Sequence, residues 1–268
     1  MDEVRTYYNE KSKIYDEAFD SLVFRVLDAI TWKYLEPYIP VNTDAFVLDA
    51  GGGTGRWSVR IARKGCKVVL MDASSGMLRI AAERISEEGL QRRITMKKGD
   101  ITKTGYSDET FDVIFSEQTL FLFKEPDTLI KELSRVLKKN GRLVISAHNR
   151  YAQCLASLPE KPTSENLDKA RKLLLGERHS SMAKDGTMKI YSWSPQEFRE
   201  ILERNGLQVE KIIGKGTTMP LRISKHVFAK KKYPEKLFSK ILLFELAICE
   251  KPDAVALAGI LQAITRKL

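Results

Sequence analysis

Cysteine and histidine are sparse. The 268 residues hold three of each, Cys66, Cys154 and Cys249, and His148, His179 and His226. Neither set has the short spacings of a zinc or iron site, so no metal is expected. A dispersed, odd set of cysteines is no disulfide framework either; it fits buried thiols in a reducing, cytoplasmic setting. No run of about eighteen apolar residues occurs, so no membrane span is expected. The polar start, Met1-Asp2-Glu3-Val4-Arg5, does not read as a signal peptide. Internal repeats and low-complexity stretches are missing, which leaves a single domain with insertions over residues 1–268 as the natural organisation.

Negative charge is in deficit. The formal net charge is +10, and basic residues crowd positions 215–240, with Lys230-Lys231-Lys232 in the middle. A basic stretch can meet nucleic acid or an anionic membrane surface, but the commoner reading is a solvated charged surface. Few aromatic residues interleave it, which disfavours nucleic acid.

The most informative stretch is residues 47–55, Val47-Leu48-Asp49-Ala50-Gly51-Gly52-Gly53-Thr54-Gly55. An apolar run ends in an acid, crosses a glycine-rich bend and opens onto the helical pattern of residues 56–63. A nucleotide-like ligand at the carboxyl end of a parallel strand is the expectation. The dinucleotide spacing G-x-G-x-x-G is absent: Arg56 or Ser58 stands where the third glycine belongs, depending on register. A nicotinamide oxidoreductase is thereby disfavoured.

What remains is acid-x-G-x-G-x-G, and the following segments agree with it in order. Val68-Val69-Leu70-Met71-Asp72 is a second apolar run ending in an acid, and Ser74 or Ser75 can cap the helix after it. Residues 94–101 form a strand that closes on Gly99-Asp100-Ile101. Residues 111–116 are a fourth strand, 125–139 an amphipathic helix stopped by Asn140-Gly141, and 142–147 a fifth strand.

The chain resembles the class I S-adenosylmethionine (SAM)-dependent methyltransferases, in the branch with ubiquinone/menaquinone-type and small-molecule enzymes. The resemblance is strong over residues 45–148. It implies an α/β, Rossmann-like, doubly wound seven-stranded sheet, mostly parallel with an antiparallel seventh strand, and helices on both faces. It also implies a SAM site. Gly51, Gly53 and Gly55 would make room for the methionine part, Asp49 would face its amino group, Asp72 would hold the ribose hydroxyls, and Asp100 and Ile101 would take the adenine. Ala73, Met77 and Ser116 belong to the same surroundings.

The flanks are read more loosely. Residues 3–19 and 22–36 are expected to be helices ahead of the first strand, ended by Pro37 and Pro40. Within residues 1–40, Tyr7, Tyr8, Tyr15 and Phe19 lie at helical spacings; they form either a lid in which Tyr15 touches the cofactor or an aromatic stripe packed on the core. Residues 150–194 and 214–256 are insertions. The second carries a helix at 234–250 that packs on the core, covers the cleft or forms a homodimer contact. Ser194, Pro195 and Glu197 spell a capping box, residues 207–213 a sixth strand and 260–266 the seventh.

Acceptor chemistry is less legible. The segment Ser116-Glu117-Gln118-Thr119-Leu120 lacks the Asn/Asp-Pro-Pro-Tyr/Phe motif of base-amine methyltransferases, and Cys154 lacks the context of a cytosine-C5 nucleophile. His148 is either a general base or a structural histidine. Glu117 faces donor or acceptor, or is a surface carboxylate. Tyr191 and Trp193 line an acceptor pocket or pack the helix after them. The expectation is methyl transfer from SAM to a small molecule. An RNA or protein methyltransferase docking through residues 215–240, or a SAM-binding module without turnover, is the alternative.

Overall fold

Strands buried on both faces read as unbroken apolar runs, and three such runs form the centre of the sheet. The computed structural model describes residues 2–41, 44–158, 161, 163–176, 189–217 and 233–268. The strands are β1 (Phe46–Ala50), β2 (Lys67–Asp72), β3 (Ile94–Lys98), β4 (Phe111–Ser116), β5 (Leu137–His148), β6 (Leu207–Lys215) and β7 (Ile260–Lys267). They form one seven-stranded sheet in the order β3-β2-β1-β4-β5-β7-β6. Pairing is parallel from β3 to β5, and β7 runs antiparallel between β5 and β6. The strand order reverses between β1 and β4, which is where an open α/β sheet leaves a crevice at its strand tips.

The helices are α1 (Asp2–Tyr15), α2 (Leu22–Leu35), α3 (Arg56–Ala62), α4 (Ser75–Glu87), α5 (Pro126–Val136), α6 (Arg150–Ala156), α7 (Ser164–Leu174), α8 (Pro195–Glu203), α9 (Glu235–Ile248) and α10 (Pro252–Leu257). Two apolar layers cover the sheet. One contains Leu129, Leu133, Phe198 and Leu202 of α5 and α8. The other contains Leu35, Val59, Ala81 and Ile85 of α2, α3 and α4. Both capping devices expected from sequence form: Ser74 accepts from the Met77 amide, and Ser194 and Glu197 make a reciprocal box.

Several boundaries differ from the sequence expectation. The first helix stops at Tyr15, and residues Asp16–Asp20 tighten into a 3-10 turn. The side chain of Asp16 has left the helical line to accept hydrogen bonds from Thr54 and Arg84. Helix α5 ends at Val136, not at Asn140-Gly141. The carbonyls of Arg135 and Val136 are taken by the amides of Glu109 and Thr110 in the turn before β4, so Leu137 is already extended and pairs with Phe111. In the second insertion the expected helix is followed by a separate one, α10, started by Pro252.

Helix α9 packs on the core. Leu237, Phe238, Ile241, Leu242 and Leu246 lie against Leu22, Val26, Ile30 and Ile213. Of the basic stretch, residues 218–232 lie outside the described residues, as do His179 and His226. Lys215, its first member, is fully buried. Among the described residues, no helix is long and apolar enough to cross a membrane.

Candidate functional site

The bend after β1 is tied to the tip of β2. The amides of Gly51 and Gly52 donate to the Met71 carbonyl, and the Gly53 amide donates to Asp72 Oδ2 at 2.9 Å. The Ser74 amide occupies Asp72 Oδ1 at 2.8 Å. Asp72 is therefore held by two backbone donors while its carboxylate lines the cleft.

The three motif glycines have different reasons. Gly51 has φ +78°, and a side chain there would strike Thr119 Cγ2 at 2.1 Å. Gly55 has φ +76° and would press on Leu70 and Ala81, so it serves the packing of α3 on the sheet and lies off the cleft. Gly53, with φ +54°, has nothing within 4 Å of an added Cβ. It borders both lobes of the cleft, so a side chain there would stand in ligand space.

The cleft has two lobes. The first is walled by Asp72, Ala73, Met77, Asp100 and Ile101, under Tyr8 of the N-terminal helix. The second is walled by Asp28, Asp49, Thr54, Arg56 and Trp57. Tyr15, Gly51, Gly53, Glu117 and Gln118 belong to both walls and mark the waist between them. Acids sit at the β1 and β2 tips and after β3, and apolar Met77 and Ile101 face the first lobe. This donor set fits an adenosyl group in the first lobe and a charged amino acid group in the second.

Electrostatics differ between the acids. Asp49 is 2% exposed, and burial pushes its carboxyl up to about 7 despite a hydrogen bond from Ser58 Oγ at 2.6 Å. Burial also raises Asp72, against the backbone donors that favour its charge. Asp28 is raised by burial and opposed by Arg56, which donates to it at 2.8 Å. Asp100 is exposed and accepts from the Thr102 amide and hydroxyl.

Helix α1 lies over the first lobe and is latched at two points. Asn9 Oδ1 accepts from Ser74 Oγ and from the Gly76 amide at the start of α4. Asp16 accepts from Thr54 Oγ1 at 2.8 Å and from Arg84 at 2.6 Å. Tyr15 packs edge-on between Tyr8 and Phe19, and burial raises its hydroxyl pKa.

The sequence model of a methyltransferase-domain family matches residues 42–206, more than half of the chain. The chain belongs to this methyltransferase family. The fold is the expected Rossmann-like one. A demethylmenaquinone methyltransferase of Thermobifida fusca is 36% identical over 129 residues, covering 46% of this chain and 54% of that protein. Methyltransferase GfsG of Streptomyces halstedii is 34% identical over 109 residues, 40% of this chain and 39% of that one. The chain thus spans about half the length, or less, of these curated relatives. The crystal structure of an S-adenosylmethionine-dependent methyltransferase from Mesorhizobium loti superposes with a TM-score of 0.60 at 18% identity, over 90% of this chain and all of that one.

Not every expected residue reaches the cleft. Ser116 is fully buried behind the bend, donating to the Ala50 carbonyl and bonded to Thr119. His148 stacks on Phe121 at 4.5 Å, with Nε2 at 3.1 Å from Gln118 Oε1 and Nδ1 at 3.3 Å from the Gln153 amide. Gln153 can only donate there, so the neutral ring donates onward to Gln118. Burial, then Lys215, lowers the His148 pKa to about 4. His148 borders neither lobe, and both its nitrogens are engaged; it supports Gln118 from behind. Trp193 packs in the core and Tyr191 lies against it. Glu117 is at the waist, as the sequence allowed, and Gln118 beside it holds φ +57°, an uncommon conformation for a residue with a side chain.

The sequence reading missed the groups behind Glu117. Lys215 Nζ donates to Glu117 Oε1 and to Thr31 Oγ1, both at 2.7 Å. A signal existed: Lys215 shares a strand face with Ile213 at the ligand-side end of β6, an inward position.

Proposed function

We propose that this protein transfers a methyl group from SAM to a small-molecule acceptor. The observation that carries the proposal is the two-lobed cleft at the strand switch point, with Asp72 in one lobe, Asp49 in the other and the Gly51–Gly53 bend between them. SAM supplies a sulfonium-activated methyl group. The chain's residues bind and orient: Asp72 accepts from the ribose hydroxyls, Asp100 and Ile101 hold the adenine, Asp49 faces the amino group, and Tyr15 closes the waist. Enclosure under α1 keeps water from the reacting centre, and positioning supplies much of the acceleration. His148 is a positioning residue for Gln118 in this reading; Glu117 is the carboxylate at the waist.

Support for a small acceptor comes from the relatives' names, which specify demethylmenaquinone and phosphatidylethanolamine. The test is incubation with methyl-labelled SAM and a fractionated cell extract. Label in the small-molecule fraction is expected. Label in RNA or protein, or tight SAM binding with no transfer to any fraction, would overturn the proposal.

A further inference from the structure

Glu117 holds an oxygen that the fold leaves without a partner. Its Oε1 is engaged by Lys215, while Oε2 is buried and makes no hydrogen bond. A buried carboxylate oxygen without a donor is costly, and a purely structural ion pair normally satisfies both oxygens. Glu117 is also the one carboxylate common to the walls of both lobes among the described residues. Asp72 borders only the first lobe and Asp28 and Asp49 only the second.

We propose that Glu117 is the charge contact for the donor's sulfonium, and that Lys215, braced by Thr31, is the positioning residue that holds it at the waist. The inference rests on the donor-cleft reading above. A ligand with its adenosine in the first lobe and its amino acid group in the second must carry its sulfur past the waist. A sulfonium has no N–H or O–H, so it cannot satisfy a hydrogen-bond acceptor directionally. It attracts a carboxylate by charge alone, and that attraction strengthens where water is excluded. Lys215 takes Oε1 and fixes the side chain, and the charge on Oε2 is shared with no other donor. Glu117 borders both lobes and Lys215 borders neither, so the lysine is a strut behind the wall and not itself a ligand contact.

S-adenosylhomocysteine (SAH) has the same shape without the charge, which makes the inference separable from the site itself. Calorimetry with SAM and SAH on the full chain compares wild type, Glu117→Gln and the double variant Glu117→Gln/Lys215→Met, each checked for folding by thermal melting. The double variant leaves no unpaired buried charge, so it guards against a single variant that fails to fold. Wild type should prefer SAM. Both variants should lose roughly ten- to a hundredfold in SAM affinity, the range for an interaction with a charged group, and bind SAH about as before. An unchanged SAM/SAH ratio in the variants, or no preference in wild type, overturns the inference and leaves the cleft reading intact. Wild type that binds neither ligand overturns both.

Discussion

Lys215 Nζ, on the edge strand β6, lies 2.7 Å from Oε1 of Glu117 at the end of the central strand β4, and the lysine has no exposed surface. Two strands far apart in the sheet are joined by charge across the ligand side. Thr31 of α2 takes a second hydrogen bond from the same ammonium, so the N-terminal helices share the junction.

Removing one member of such a pair strands the other. Lys215→Met should cost about 3–5 kcal/mol of folding stability, the usual range for a buried charge left uncompensated. Lys215→Met/Glu117→Gln should recover most of that loss. Urea denaturation of the two variants measures it; equal midpoints for Lys215→Met and wild type would contradict the pairing.

Gly51 and Gly53 should respond differently to the same change. Gly51→Ala meets Thr119 and a positive φ, so it should lower the melting temperature. Gly53→Ala should lose only the roughly 1–2 kcal/mol of a left-handed backbone and remain folded. Gly53→Val, with its larger side chain in the cleft, should abolish SAM binding. Tight SAM binding by a folded Gly53→Val would remove the bend from the donor site.

Asp49 carries a pH dependence whose sign is set by burial. Its carboxyl lies near 7 when folded and near the ordinary value of 3.8 when unfolded. Between those values the folded protein keeps a proton that the unfolded chain has released. Stability therefore falls as pH rises across that window, by an amount on the order of 4 kcal/mol, and is level above it. A cationic amino group in the second lobe favours the ionised acid, so SAM binding should release a proton below neutral pH. Affinity should climb with pH and flatten above about 7, and Asp49→Asn should remove that climb. Calorimetry across the range, in buffers of different ionisation enthalpy, counts the proton.

The latch on the N-terminal turn should govern exchange. Asp16→Ala frees Arg84 and Thr54 together, and Arg84 and Asp16 are only partly exposed. The expected result is a several-fold faster SAM off-rate with little change in thermal stability, since partly solvated pairs contribute about 1 kcal/mol or less. Stopped-flow fluorescence can follow it, because Trp57 borders the second lobe. An unchanged off-rate would mean that the turn does not gate the cleft.

Legibility followed sequence distance. The run from Val47 to Gly55, the acids after it and the Ser194 capping box are local patterns, and each was readable because its chemistry repeats within a few residues. The boundary of α5 was not, because the carbonyls that end it are claimed by Glu109 and Thr110, some two dozen residues earlier. Likewise Gly51, Gly53 and Gly55 look alike in the chain. Only the neighbours that fold against them, Thr119, open space, and Leu70 with Ala81, separate their roles.

By itself the amino-acid order determined the alternation of strand and helix, the glycine bend and the acids at 49, 72 and 100, because backbone periodicity and turn chemistry act over short separations. Tertiary structure decided which ionisable groups face one another. It turned His148 away from the cleft and set Lys215 behind Glu117, since a lysine gains its partner from whichever distant strand end the sheet brings within hydrogen-bond reach. Burial then set the charge that Asp49 carries, and burial is a property of the packed molecule alone.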